Sequence, residues 1–294
     1  MKTFDQFRIR QAEIAQLIVL QCLFSLKESR EVFFQGGTAI RWFYGGLRFS
    51  EDLDLVSPWS SEKAAVMVDS AAEQVRRYMV ANFGPGDFSL KPKKSRDGAY
   101  RAFFDFAPSE KRQKVSVKVE FEQLAGVMRP NTDKIIMQSA PAVAYFLREA
   151  GFGSAGAAVI INVETAEEIL TDKMRALMER PYTKGRDFFD VWFLTKTLGV
   201  RPDPGGLDRK LSMYAVPFTE KTPAAFYAGL DKLSTGDRKA LAGEIHQDLS
   251  RFIEAQTLEV LARENFRDLL SAVQEAFRLC LRTNHSRPRG HRQA

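Results

Sequence analysis

Phe34-Gln-Gly-Gly-Thr-Ala-Ile-Arg-Trp-Phe-Tyr-Gly-Gly-Leu-Arg-Phe-Ser-Glu-Asp-Leu-Asp-Leu55 fits a strand, a glycine pair, a helix, a turn and a second strand into one short span. The apolar run Val32-Phe33-Phe34 leads into Gly36-Gly37, and a helical stretch begins at Thr38. Glycines just before a helix permit close backbone approach and unusual dihedrals. The free amides and dipole of that helix start suit a triphosphate, with the Thr38 hydroxyl as a further donor. A Gly-Gly pair alone most often makes only a turn. Asp52-Leu-Asp-Leu-Val56 alternates with period two, as a strand does. Residues i and i+2 share a face, so the Asp52 and Asp54 carboxylates project together while Leu53 and Leu55 enter the core. Like charges so close are costly unless a cation lies between them, and Mg²⁺ is hard and oxygen-seeking. An isolated Asp-x-Asp is more often a solvated acidic face; the Gly-Gly-Thr helix start just upstream moves the balance toward a metal site.

Working outward, Phe7 to Lys27 places Ile9, Ile14, Leu17, Ile18, Cys22 and Leu26 at helical spacing and predicts an amphipathic helix. Ser61 to Asn82 predicts a second, surface helix. Strands are expected over Tyr100 to Phe106, over Val115 to Phe121 with clean alternation, and over Ala157 to Val163 as a short buried run. From Thr165 the pattern is nearly all helical, opened by the capping-box spacing Thr165-Ala-Glu-Glu168. Helices are predicted to about Glu179, then over Arg186 to Thr197, Pro223 to Leu233, Gly236 to Ile253 and Leu258 to Leu281. The fold class is therefore α+β, with strands and helices in residues 1–163, followed by a helical domain in residues 164–294 that ends in a basic tail.

The composition, with 45% hydrophobic and 27% charged residues in 294, excludes disordered and fibrous chains. The apolar stretch Ile14 to Leu26 is too short and too polar to span a membrane, and no small-residue cleavage site follows it. Two cysteines, Cys22 and Cys280, make neither a disulfide framework nor a zinc site. A reduced, cytoplasmic protein without a membrane partner is expected. The net charge is +6. Its distribution is uneven: Arg282 to Ala294 holds four arginines and no acid, and Lys91 to Arg101 holds five basic residues against Asp97. The rest of the chain is slightly acidic. The two basic segments suit nucleic-acid phosphates, or are simply solvated.

Two further groups of residues carry chemistry. Along the helix from Glu168, Lys173 falls within the arc of Ile169, Leu170, Ala176 and Leu177, and a lysine on an apolar side needs an anion. Asp187 and Asp190 share a side of a helix otherwise built from Phe188, Phe189, Val191, Trp192 and Phe193, so they should be paired. The anion at Lys173 is then either one of these aspartates, in an ion pair joining two helices, or a substrate phosphate. Val115, Val117, Val119 and Phe121 line one face of their strand, leaving Lys118, Glu120 and Glu122 on the other. His246, His285 and His291 support neither a catalytic dyad nor a metal cluster.

Gly36-Gly37 followed by Asp52-x-Asp54 resembles the DNA polymerase β-type nucleotidyltransferase signature. Gly-Gly-Thr-Ala-Ile40 with Gly46-x-Arg48-x-Ser50-x-Asp52-Leu-Asp-Leu55 is similar, more narrowly, to the AbiEii/MenT-type nucleotidyltransferase toxins of type IV toxin–antitoxin and abortive-infection systems. Lys173-Met-Arg-Ala176, Arg180 and Arg186-Asp187-Phe-Phe-Asp190 resemble the Lys-x-x-Ala and Arg-Asp-x-x-Asp pattern of that family's helical half. The resemblance implies a polymerase β-like core and transfer of NMP from an NTP. It implies Gly36, Gly37, Thr38, Arg48, Ser50 and Lys173 on the nucleotide, and Asp52 and Asp54 on two Mg²⁺ (or Mn²⁺) ions. It also implies a third metal-binding carboxylate on a neighbouring strand, for which Glu120, central in the polar face, is the choice and Glu122, near the strand end, the rival. Arg186, Asp187 and Asp190 become supporting groups. An RNA acceptor such as a tRNA 3′ end, a block on translation and a neutralising antitoxin are further implications. A protein or small-molecule acceptor, or a non-enzymatic nucleotide-sensing module, is the alternative.

Overall fold

The computed structural model describes residues 5–93, 99–110, 114–150, 158–214 and 222–284. Contacts divide the chain into two units after Thr165, with Met213 and Tyr214 returning to the first.

The first unit is built on one mixed seven-stranded sheet. Its strands are β1 (Phe33–Gln35), β2 (Asp52–Ser57), β3 (Gly86–Lys93), β4 (Tyr100–Pro108), β5 (Val115–Gln123), β6 (Thr132–Ile136) and β7 (Ile160–Glu164), in the spatial order β3-β4-β5-β2-β1-β7-β6. β2 runs antiparallel to β1 and parallel to β5, which places both neighbours of the aspartate strand in fixed register. The buried Leu53, Leu55, Val117, Val119 and Phe121 alternate with the polar positions that the sequence pattern predicts.

The helices of this unit are α1 (Gln6–Phe24), α2 (Gly36–Phe43), α3 (Ser61–Phe83) and α4 (Pro141–Ala150). α1 starts at a cap in which the Asp5 carboxylate accepts from the Arg8 amide. It is not amphipathic as expected: every residue from Glu13 to Phe24 is buried. Two of its polar members find partners inside, Glu13 in Arg41 at 2.9 Å and the Gln16 amide nitrogen in the Ser50 carbonyl, to which it donates at 2.6 Å. α3 buries Ala64, Met67, Val68, Ala71, Val75, Met79 and Phe83 on one stripe and exposes the rest, as a surface helix should.

β3 corrects the expectation of a basic loop from Lys91. Lys91 and Lys93 lie on an edge strand paired with β4, and Lys91 reaches Asp105 at 3.0 Å. Lys94, Arg96 and Asp97 lie outside the described residues, as does the tail from residue 285. At the other end of β2 and β5, Met213 and Tyr214 pack on Val56, Leu124 and Phe33, and Tyr214 bridges Leu124.

The second unit is helical: α5 (Ala166–Glu179), α6 (Gly185–Trp192), α7 (Gly206–Met213), α8 (Pro223–Asp231), α9 (Thr235–Leu249), α10 (Ala255–Leu261) and α11 (Arg267–Asn284). α6 continues as a π-helical turn over Phe193–Thr197 and packs against α5, α9 and α11. Its core joins Phe188, Phe189, Val191 and Phe193 to Ile245, Leu249, Phe252, Val273 and Phe277. The single helix expected over Leu258 to Leu281 is two. Glu264, Asn265 and Phe266 take left-handed backbone angles that end α10 and restart the chain as α11, and the buried Phe266 anchors the break. Both cysteines are buried free thiols, pushed up by burial to about 12 at Cys22 and about 11 at Cys280. Among the described residues no helix is long and apolar enough to cross a membrane.

Candidate active site

The site on the sheet unit starts at the turn from β1 into α2. Gly36 sits at φ +81°, and a Cβ there would lie 2.3 Å from Asp54 Oδ2. A Cβ on Gly37 would meet Arg48 Nη2 at 2.4 Å and Ser50 Oγ at 2.8 Å. The two glycines are therefore what allows an aspartate, an arginine and a serine to stand directly against the backbone. α2 itself begins at Gly36, two residues earlier than the sequence suggests.

The groups around that turn are held from behind. The fully buried Thr38 donates its hydroxyl to the Asp52 carbonyl, tying the start of α2 to the start of β2. Arg48 is buried and donates from Nη1 to the Phe49 carbonyl at 2.9 Å. Ser50 is buried, with its carbonyl accepting from Gln16. These three residues build the turn that presents Asp52 and Asp54.

Across the strands the register is parallel, Asp52 beside Lys118 and Asp54 beside Glu120. Glu122 stands one step farther along, beside Val56. Asp52, Asp54, Lys118 and Glu120 therefore share one face, and Arg101 on β4 adds to it from the other side of β5. Lys118 Nζ lies 3.2 Å from Asp52 Oδ2 and 2.6 Å from Glu120 Oε2. Arg101 holds the other Glu120 oxygen, with Nη2 at 2.6 Å and Nε at 2.8 Å. Burial alone would raise the Glu120 pKa, but the Arg101 and Lys118 contacts outweigh it and hold the carboxyl below its ordinary range. Burial likewise opposes charge on Lys118, yet the negative charge of Asp52 and Glu120 raises its pKa. Lys118 and Arg101 are the residues that sequence reasoning left out of the site. The signal was present: both sit at even spacing, or in strand register, with a glutamate already singled out.

The second set of residues lies in the helical unit. Lys173 on α5 reaches Asp190 Oδ2 at 2.9 Å and Asp187 Oδ1 at 3.3 Å, so it joins α5 to α6 by the ion pair that the apolar arc allowed. Arg180 pairs with the other Asp187 oxygen. Asp187 is fully buried; burial favours its neutral form, but Arg180, Lys173 and their neighbours hold it down at about 2. Arg186 points elsewhere. Its backbone amide and guanidinium bind Asp248 at 3.0 and 3.3 Å, and the guanidinium lies over the Phe252 ring. An open cleft of about 810 Å³ on this unit carries Arg180, Lys184 and Arg251 against Asp187, Glu244 and Asp248, so it has no net charge to favour a polyanion.

The AbiEii family, nucleotidyl transferase toxins of type IV toxin–antitoxin systems, matches the chain over residues 18–277. The chain belongs to that family. It is thus a nucleotidyltransferase of a toxin–antitoxin system, and family membership implies an antitoxin partner. Two solved structures share the fold. JHP933 from Helicobacter pylori is 17% identical, with a TM-score of 0.54 over 97% of each chain. An H. pylori structure of a candidate nucleotidyltransferase is also 17% identical, with a TM-score of 0.54 over 96% of this chain and 98% of that one. No curated protein matches this AbiEii-family chain.

The carboxylate oxygens of Asp52 and Asp54 are the hard donors that Mg²⁺ or Mn²⁺ takes, and both side chains share the face beside the glycine turn. Among the described residues no three His, Cys, Asp or Glu side chains converge on one point as they stand, because Glu120 is turned to Lys118 and Arg101.

Proposed function

We propose that this AbiEii-family enzyme transfers NMP from an NTP to an RNA acceptor, a tRNA 3′ end, and so halts translation until its antitoxin neutralises it. The observation that carries the reading is the fit of Gly36 against Asp54, where no side chain larger than hydrogen leaves the carboxylate in place. A helix start suited to phosphate and a carboxylate suited to a metal then stand side by side, which supports the reading.

In this reading Mg²⁺ is held by Asp52 and Asp54 on the acidic face that Glu120 extends. When bound, it activates the acceptor hydroxyl and offsets charge on the departing pyrophosphate. The chain's own groups do the positioning. The amides at the start of α2 receive the triphosphate, and Thr38 and Ser50 hold the turn in shape. Arg48, pressed against Gly37, adds positive charge beneath it. Lys173, held by Asp187 and Asp190, carries its charge within the helical unit. Lys93 with Lys94 and Arg96, together with the arginine-rich tail, supplies basic charge for RNA phosphates.

The test incubates the purified protein with α-³²P- or γ-³²P-labelled nucleotides, Mg²⁺, total RNA and cell protein. Label entering RNA from the α position alone is expected, and its loss in Asp52→Ala. Label entering protein instead would transfer the reading to a protein acceptor. No transfer with any of the four nucleotides, or transfer that survives Asp52→Ala, overturns it.

A further inference from the structure

We infer that Glu13 and Gln16, buried on α1, are positioning residues of the nucleotide site, holding the turn Gly46 to Ser50 so that Arg48 and Ser50 stand against Gly37. The inference rests on the nucleotide-binding reading above, and adds to it two residues that lie ahead of the family match over residues 18–277.

Three observations carry it. First, the two polar groups sit where apolar ones would fill the core at less cost. Every residue of α1 from Glu13 to Phe24 is buried, and Glu13 and Gln16, three apart, share one side of the helix. Burial raises the Glu13 pKa although Arg41 opposes the shift. Among the described residues Gln16 Oε1 has no hydrogen-bond partner, so the amide is buried for the bond that its nitrogen makes. Well-packed apolar side chains in place of a buried ion pair are often as stable or more so, and stability alone therefore does not account for Glu13.

Second, both contacts end on backbone carbonyls of one turn. Gln16 Nε2 donates to the Ser50 carbonyl at 2.6 Å. Glu13 Oε1 accepts from Arg41 Nε at 2.9 Å, which aims Arg41 Nη1 at the Gly46 carbonyl, 3.0 Å away. The Gly46 amide donates in turn to the Ile40 carbonyl at 2.9 Å. α1 thus fixes both ends of the segment, one directly and one through Arg41.

Third, the segment between those carbonyls carries the groups that face the helix start. Arg48 Nη2 and Ser50 Oγ lie where a Cβ on Gly37 would be. With so close a fit, any drift of the turn carries both side chains away from the place where the triphosphate is received. Glu13 and Gln16 touch no nucleotide in this arrangement; each acts through a carbonyl of the turn.

The test measures nucleotide affinity by equilibrium dialysis of the purified full chain against each α-³²P-labelled nucleotide, with Mg²⁺ and without acceptor. The variants are then compared with whichever of the four binds most tightly. Gln16→Met, similar in length but with no donor, should weaken binding about 10-fold, as should Glu13→Leu, which removes the anchor of Arg41. Glu13→Gln, which keeps an acceptor for Arg41, should recover most of that loss. In the transfer assay the nucleotide KM should rise in parallel, with kcat lowered less than about 3-fold and the acceptor KM unchanged. Val19→Ala, a cavity in the same buried stretch of α1, should lower the melting temperature and leave nucleotide affinity within about 2-fold of wild type. Affinity within about 2-fold of wild type in folded Gln16→Met or folded Glu13→Leu overturns the inference. An equal loss in Val19→Ala also overturns it, since affinity would then only follow stability. Either result leaves nucleotide binding intact. No nucleotide bound by the wild type overturns the nucleotide-binding reading itself, and the inference with it. Should Gln16→Met fail to fold, the Glu13 pair decides, and a Glu13→Gln no better than Glu13→Leu overturns the inference.

Discussion

Lys118 and Lys173 each lie between two carboxylates at nearly the same distances, 3.2 and 2.6 Å in one case and 3.3 and 2.9 Å in the other. Their surroundings differ. The side chains of Asp52 and Glu120 remain 35% and 23% exposed, whereas those of Asp187 and Asp190 are 3% and 1% exposed. In the helical unit the lysine neutralises charge that has no access to water, so the pairing holds two helices together. On the sheet the same chemistry sits at an open face beside a bare glycine turn, where charge remains available to a ligand. Equal contact geometry thus carries opposite consequences for what each lysine does.

The largest expected effect lies on the open side of this contrast. Asp54→Asn should lower the transfer rate by about 1000-fold, the scale of losing a charged group that holds a catalytic metal, while circular dichroism and melting temperature stay close to wild type. A matching fall in stability would mean that the sheet carboxylates are structural, and the contrast would collapse. On the closed side, Lys173→Met leaves two buried aspartates short of a partner and should cost about 3–5 kcal/mol in denaturant unfolding. Lys118→Met, at the solvated pair, should cost under about 1 kcal/mol. If Lys173→Met instead abolishes transfer at unchanged stability, Lys173 serves the nucleotide more than the helices.

Gly36→Ala should be smaller, about 1–3 kcal/mol of stability, because it forces a left-handed backbone on alanine and crowds Asp54. Its companion readout is transfer rate, which should fall more steeply than stability if the glycine serves the site. A further effect is a pH dependence. Asp187 is held at about 2 against an ordinary 3.8. Its pairing therefore stabilises fully above the ordinary value and is lost as pH falls from there through about 2. In Asp187→Asn the acid loss over that interval should shrink by roughly 2 kcal/mol, read from urea midpoints at stepped pH.

Much of this arrangement was legible in residue order because it depends on local periodicity. The alternation of Asp52 to Val56 and of Val115 to Phe121 appears as β2 and β5, and Asp187 and Asp190 are paired as their apolar neighbours required. What escaped depends on contacts between distant segments. α1 looked amphipathic because Glu13, Gln16 and Gln21 are polar, yet its whole second half is enclosed, with Arg41 against Glu13 and the Ser50 carbonyl accepting from Gln16. β3 and β6 escaped because edge strands need only one good face, and Pro92 and the lysines of β3 look like a loop. The break at Glu264 to Phe266 contains no glycine or proline to announce it. Thr38, expected at a phosphate, spends its hydroxyl on the Asp52 carbonyl, a partner that only the folded sheet brings within reach.

The return of Met213 and Tyr214 to the strands has a practical side. These residues seal Val56, Leu124 and Phe33, so the chain passes between its two units three times instead of once. Cutting the polypeptide after Thr165 would not release two self-sufficient halves. The sheet piece would carry an apolar wound at the end of β2, the strand that bears both aspartates.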